Sequence, residues 1–235
     1  MRTIGLIGGM SWESSAEYYR LINETVKARL GGLHSARSIM LTVDFAEIEA
    51  MQVAGRWDEA GSILADAARS LERADADCVV LCTNTMHKVA GAITAAVTIP
   101  LIHIADATAT AIRAQGLRRI GLLGTRFTME EAFYRGRLTE QHGLEVLVPE
   151  ADDRAVVNQV IYEELCLGTI QAESRAQYRA IMGRLVDQGA EGIILGCTEI
   201  TLLVTQADSA VPLFDTTRLH ALAAVDFALA EAPLR

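Results

Sequence analysis

Apolar residues in this chain fall into two rhythms. Short unbroken runs end in small polar residues, and longer segments carry apolar positions three and four apart. Val79-Val80-Leu81-Cys82 empties into Thr83-Asn84-Thr85-Met86-His87, which reads as a buried strand opening into a loop. Ile193-Ile194-Leu195-Gly196 does the same into Cys197-Thr198-Glu199-Ile200. In open α/β sheets the carboxyl ends of the strands are where ligands bind. Laid over each other, Leu81 meets Leu195, Cys82 meets Gly196, Thr83 meets Cys197, and Asn84-Thr85 meets Thr198-Glu199. Two polar strand ends from two halves of one chain predict one site built between two similar lobes.

The first half opens with a strand at Thr3–Ile7, the loop Gly8-Gly9-Met10-Ser11 and a helix from Trp12 to Leu30. A turn over Gly31–Ser35 leads to a second strand, Ser38–Phe45, and then to a polar loop holding Glu47, Glu49, Gln52 and Arg56. The helix Asp58–Arg73 carries Ile63, Leu64, Ala67, Ala68 and Leu71 at helical spacing. After the Val79 strand come a helix from His87 to Ala96 and a short strand at Ile99–Ile104. The pattern restarts at Arg119, where Ile120-Gly121-Leu122-Leu123-Gly124-Thr125 echoes Ile4-Gly5-Leu6-Ile7-Gly8-Gly9. A helix over Thr128–His142, a strand at Leu144–Val148, helices over Val156–Leu167 and Ala172–Gln188, and the Ile193 strand follow. Val211-Pro212-Leu213-Phe214-Asp215 then echoes Ile99-Pro100-Leu101-Ile102-His103. Matched landmarks in the same order indicate an internal duplication. Alternating strands and helices demand parallel sheets.

At 235 residues the chain can hold one large α/β domain or two small ones. Hydrophobic residues make up 51% and charged ones 22%, enough for a substantial core, while few aromatics make that core aliphatic. The net charge of −9 argues against nucleic acid or an anionic membrane as the main partner. No leader and no run of about eighteen apolar residues is evident, so a cytoplasmic, reducing location is expected. The four cysteines, Cys78, Cys82, Cys166 and Cys197, form neither a CxxC pair nor a secreted-type framework. Cys78 and Cys166 read as packing residues.

Each chemical signal has rivals. Gly5-Leu6-Ile7-Gly8-Gly9 lacks the GxGxxG spacing, and Asp44 comes too late to hold a ribose, so a tight turn beside a ligand fits better than a dinucleotide. Cys82, His87, His103 and Cys197 include no pair at zinc-site spacing, and no metal is expected. Cys197 as a nucleophile with His87 as its base would suit a cysteine-dependent hydrolase or lyase. A non-catalytic binder of acidic amino acids is a further option. Proton transfer at carbon accounts for more. A racemase removes a proton from one face of a stereocentre and returns one to the other, which two acid/base groups from paired lobes can do. A thiol near a helix start has its pKa lowered, and the same N–H groups can hold a carboxylate. Arg126, Arg135 and Arg137 read as a solvated helix face, with Arg126 best placed to reach the site.

Cys82-Thr83-Asn84-Thr85-Met86-His87 and Gly196-Cys197-Thr198-Glu199 resemble the paired signatures of the Asp/Glu/hydantoin racemase superfamily. Ile4 through Ser14 and Gly31-Gly32-Leu33-His34-Ser35-Ala36 narrow the likeness to the aspartate/glutamate racemases, nearest to bacterial L-aspartate/glutamate-specific or broad-specificity amino-acid racemases. The likeness runs from Met1 to about Phe227. It implies an amino-acid substrate, no pyridoxal phosphate, metal or other cofactor, and usually a homodimer. Carried over by position, it implies substrate contacts at Met10, Gln52, Asn84, Thr85, Thr125, Thr198 and Glu199.

One departure stands out. The family's first signature reads Cys-Asn-Thr, and the cysteine's place is taken here by Thr83, with Cys82 one residue early. Adjacent side chains on a strand point oppositely, so Cys82 is expected to face away from the substrate. The expected architecture is therefore two α/β lobes, each around a four-stranded parallel sheet, with residues 1–98 and 210–235 in the first and 99–209 in the second. Cys197 is the expected proton-transfer group, with Thr83 opposite and Cys82 and His87 as auxiliaries. Arg56, Lys88 and Arg126 are the cations available for a side-chain carboxylate.

Overall fold

The computed structural model describes residues 1–230. In chain order the elements are β1 (Ile4–Gly8), α1 (Trp12–Leu30), β2 (Ser38–Thr42), α2 (Phe45–Val53), α3 (Trp57–Arg73), β3 (Cys78–Leu81), α4 (Ala90–Ala96) and β4 (Leu101–Ile102). They continue with α5 (Ile104–Ala114), β5 (Arg119–Gly124), α6 (Arg126–Glu130), α7 (Ala132–His142), β6 (Glu145–Leu147), α8 (Ala151–Glu163) and α9 (Ala172–Asp187). Last come β7 (Gly192–Gly196), α10 (Ile200–Leu203), β8 (Leu213–Asp215) and α11 (Thr216–Leu229). The fold is α/β, with two four-stranded sheets that are parallel throughout, in the orders β2-β1-β3-β4 and β6-β5-β7-β8.

The duplication extends to register. Ile7 pairs with Leu81 in the first sheet, and Leu123 with Leu195 in the second. A carboxylate closes the foot of each sheet in the same way. Asp77, just before β3, accepts the Thr3 N–H at 2.6 Å, and Glu191, just before β7, accepts the Arg118 and Arg119 N–H groups at 2.7 and 2.9 Å. Each sheet is buried on both faces, which is why its strands are uninterrupted apolar runs. In the first, Ile4, Leu6, Cys78 and Val80 pack toward α1 and α11, while Ile7, Val79 and Leu81 pack toward α3. In the second, Leu123, Ile193 and Leu195 pack toward α8 and α9, and Ile120, Leu122 and Ile194 toward α5 and α7.

Two compact units result among the described residues: Met1–His103 together with 220–230, and Ile104–Leu219. Both crossings fall later than the boundaries 98/99 and 209/210 drawn from the sequence. The strands supply the reason. β4 pairs with β3 and so stays in the first unit, and β8 pairs with β7 and so stays in the second. The last part of the segment expected in the first lobe, 231–235, lies outside the described residues. Two local expectations also change. The polar stretch around Gln52 is helical as α2, because Asp44 caps it by accepting the Ala46 N–H. The single helix expected over Thr128–His142 is two, α6 and α7, broken at Glu131, whose backbone is extended.

Candidate active site

The strand order explains where chemistry collects. With β1 and β3 adjacent and β2 and β4 outside them, successive crossovers leave β1 and β3 in opposite directions, and a crevice opens at their carboxyl ends. The same holds for β5 and β7 in the second unit. The residues set by these four strand ends are the ones singled out from the sequence.

In the first unit, β1 leads through Gly8-Gly9 to Met10 and Ser11. Gly9 has φ +94°, and a Cβ there would lie 2.1 Å from the Val43 carbonyl oxygen, so only glycine passes. The Ser15 hydroxyl accepts the Gly9 N–H at 2.8 Å and donates to the Ser11 carbonyl at 2.9 Å, pinning the turn. Met10 is buried in the cluster that also holds Met86 and Leu81. Gln52 reaches the same cluster, its amide 3.0 Å from the Met86 sulfur.

β3 ends in a strand-to-turn transition. Cys82 continues the alternation of Cys78 and Val80 and is sealed in the core cluster that also holds Leu6 and Tyr18. Burial alone pushes its thiol far above the ordinary range. Burial also pushes Cys78 up to about 12. Thr83, Asn84 and Thr85 follow as buried polar residues, with Thr85 opening a 3-10 turn that runs to Val89. His87 Nδ1 donates to the Thr83 carbonyl at 2.7 Å, so the imidazole holds the backbone of this turn. His103 meets His87 edge to face, with ring centroids 4.5 Å apart and planes at 63°. Tyr18 donates its hydroxyl to His220 Nδ1 at 2.7 Å, and His220 Nε2 donates to the Ile102 carbonyl at 2.6 Å. These partners are 202 and 118 positions apart, and no spacing in the sequence announces them.

In the second unit, Gly124 of β5 pairs with Gly196 of β7, so Thr125 and Cys197 leave neighbouring strands at the same level. A Cβ on Gly196 would lie 2.7 Å from the Leu123 carbonyl oxygen, which explains glycine where the other repeat carries Cys82. Thr125 caps α6 by accepting the Thr128 N–H. Arg126 follows it, its N–H bound to Asn158 Oδ1 at 2.8 Å and its guanidinium 5.6 Å from the Phe127 ring centre. Arg56 is paired with Glu59 at 3.1 Å, and the Lys88 ammonium lies 3.8 Å over the Trp57 ring. Among the described residues no carboxylate pairs with Arg126.

The Cys197 thiol donates to Glu199 Oε2 at 2.9 Å. Loss of water around the sulfur, then the Glu199 charge, raises this thiol well above its ordinary value. This corrects the expectation that helix N–H groups would lower it. The helix after Cys197 is α10, a single turn of four residues, with little dipole to set against a hydrogen-bonded carboxylate. Among the described residues no group of three or more His, Cys, Asp or Glu could hold a metal, and no helix is long and apolar enough to cross a membrane.

The sequence that builds these strand ends matches a family profile. The profile for Asp/Glu/Hydantoin racemase covers residues 7–224. The chain belongs to the Asp/Glu/hydantoin racemase family. It is an amino-acid racemase, an isomerase. A candidate Asp/Glu racemase from Yersinia pestis is 60% identical, with TM-score 0.93 over 97% of this chain and 100% of that one. PH1733, an aspartate racemase homologue from Pyrococcus horikoshii OT3, is 34% identical, with TM-score 0.85 over 97% and 99%. The broad specificity amino-acid racemase RacX of Bacillus subtilis (strain 168) is 27% identical over 177 residues, 74% of each chain.

Proposed function

We propose that this racemase acts on aspartate or glutamate without a cofactor, with Cys197 as the thiol base and Thr83 as the group serving the opposite face of Cα. The observation that carries this reading is the Cys197–Glu199 hydrogen bond at the end of β7. The Cys197 thiol, held by Glu199, loses its proton to solvent, and the sulfur, now an anion, takes the Cα proton of the L-substrate. The resulting carbanion accepts a proton from the Thr83 hydroxyl on its other face, and that hydroxyl recovers one from solvent or from His87. Asn84, Thr85 and Thr198 hold the α-carboxylate. Met10, Gln52 and Thr125 complete the contacts, and Arg126, beside Thr125 and with no carboxylate partner among the described residues, takes the side-chain carboxylate. Cys82, sealed in the core, takes no part.

The protein works in the cytoplasm as a homodimer. A panel of L- and D-amino acids incubated in heavy water tests the reading. A racemase exchanges the α-hydrogen and inverts the centre. A lyase or hydrolase changes the molecular skeleton, and a binder does neither, so either outcome displaces the proposal.

A further inference from the structure

We propose that Tyr18 and His220 are positioning residues for the Thr83 face of the reaction. Through His87 they fix the turn that carries the Thr83 hydroxyl, and so set how often the carbanion inverts rather than returning to its starting hand. The proposal rests on the assignment of Thr83 to the opposite face of Cα.

Three of the chain's five histidines, His87, His103 and His220, gather in the first unit with Tyr18 beside them. They come from four separate segments: α1, the turn after β3, the residue that follows β4, and α11. Tyr18 and His220 are wholly buried, and His87 and His103 nearly so. A buried polar ring costs free energy unless its polar atoms are satisfied. Apolar side chains would fill the same volume without that cost, so the rings point to a task beyond packing.

The hydrogen bonds give each ring a fixed part. A carbonyl oxygen can only accept, so His220 Nε2 must carry the proton it shares with Ile102. Its Nδ1 is then the acceptor for the Tyr18 hydroxyl, and the imidazole is held at both ends. Ile102 ends β4 and pairs with Val80 of β3, the strand that opens into Thr83. His220 is thereby anchored to the sheet one strand away from the turn.

His87 links this anchor to Thr83. Its Nδ1 donates to the Thr83 carbonyl, the Thr83 N–H donates to the Leu81 carbonyl at 2.8 Å, and the His87 N–H donates to the Asn84 carbonyl at 3.1 Å. Both backbone polar groups of Thr83 are therefore tied, and rotation about χ1 is what remains to its hydroxyl. The His87 ring meets His220 edge to face, with centroids 5.7 Å apart and planes at 66°. Tyr18 meets His220 in the same manner, at 5.5 Å and 87°. The line runs from Tyr18 through His220 and His87 to Thr83. Cys197 belongs to the other unit and takes its hydrogen bond from none of these residues.

That separation gives the proposal its signature. On the Thr83 assignment, Cys197 governs return of a proton to the L side, and Thr83 governs inversion. A variant that loosens Thr83 alone yields fewer D-product molecules per deuterium returned to the L-substrate. Loss of folded protein or of substrate affinity lowers both counts together and leaves their ratio unchanged.

L-Aspartate and L-glutamate at saturating concentration in heavy water give both counts in one reaction. Chiral chromatography reads the D-product, and mass spectrometry reads the deuterated L-substrate. Tyr18→Phe, which removes a single hydroxyl, should lower the ratio by about threefold with L-exchange little changed, the scale of one lost hydrogen bond. His220→Leu should lower it by about tenfold, since two hydrogen bonds go. His220→Gln, whose amide can still donate to the Ile102 carbonyl, should recover part of that loss. Adding Tyr18→Phe to His220→Leu should cost nothing more, as for two residues acting through one contact. Thr83→Val, run alongside, separates the two failures. Inversion that survives in Thr83→Val overturns the Thr83 assignment and this proposal with it. Inversion lost in Thr83→Val, with the ratio unchanged in the Tyr18 and His220 variants, overturns the positioning role alone. Should circular dichroism show that His220→Leu does not fold, Tyr18→Phe and His220→Gln decide by the same ratio.

Discussion

At the scale of single residues, the chemistry turns on which side chain holds a proton. The Cys197 thiol keeps its own because burial and the Glu199 carboxylate both disfavour the thiolate. Deprotonation therefore grows with pH through the alkaline range, and α-hydrogen exchange of the L-substrate should rise with it. Glu199→Gln removes the neighbouring charge, so the thiol titrates at lower pH. The rising limb of L-exchange, and of iodoacetamide alkylation at Cys197, should both move to lower pH. An unmoved alkylation profile would show that Glu199 does not govern the thiol. Cys197→Ala should lower exchange at least about a hundredfold, the scale of a lost acid/base group. Cys82→Ala should leave exchange largely intact and cost about 1 kcal/mol of stability, as for one buried methylene-sized group, measured by urea unfolding.

At the scale of elements, the strand ends are held by devices that recur in both halves. Gly196 is one: alanine there must push against the Leu123 carbonyl at 2.7 Å, within strands locked by pairing. Gly196→Ala should destabilise by about 1–3 kcal/mol, the range for overpacking, and should also displace Cys197, lowering kcat more than it raises KM. The carboxylate at the foot of the second sheet is another. Two backbone N–H groups hold Glu191 below the usual carboxylate range. A depressed native pKa gives stability that is present above the unfolded value and lost as pH falls through the folded one. Thermal melts from neutral pH down through the carboxylate range should therefore lose part of their acid dependence in Glu191→Gln.

At the scale of the whole molecule, unequal partners predict unequal directions. In the proposed mechanism a thiol serves one face of Cα and a hydroxyl the other. Hydrogen exchange of the L-enantiomer should therefore outrun its conversion, while the D-enantiomer exchanges slowly. The kcat/KM values for the two directions must still obey the equilibrium. Thr83→Cys should raise D-enantiomer exchange, and equal exchange of both enantiomers in the unaltered protein would remove the asymmetry. Much of this was legible in the sequence, because strand cores and their polar ends are local patterns. The apolar runs at Val79 and Ile193, the repeated order of landmarks and the offset between Cys82 and Thr83 need only period-two geometry to be read. The matched landmarks and the alternation of strands and helices likewise determined an α/β chain of two similar halves. The tertiary structure decided what depends on distant partners. It set the crossings after His103 and Leu219, because pairing assigns β4 and β8 to their sheets. It joined Tyr18 to His220, two residues that meet only when α11 packs on α1. It also reversed the direction of the Cys197 shift, since a thiol's proton affinity follows the water and charge around the sulfur, and folding alone arranges those.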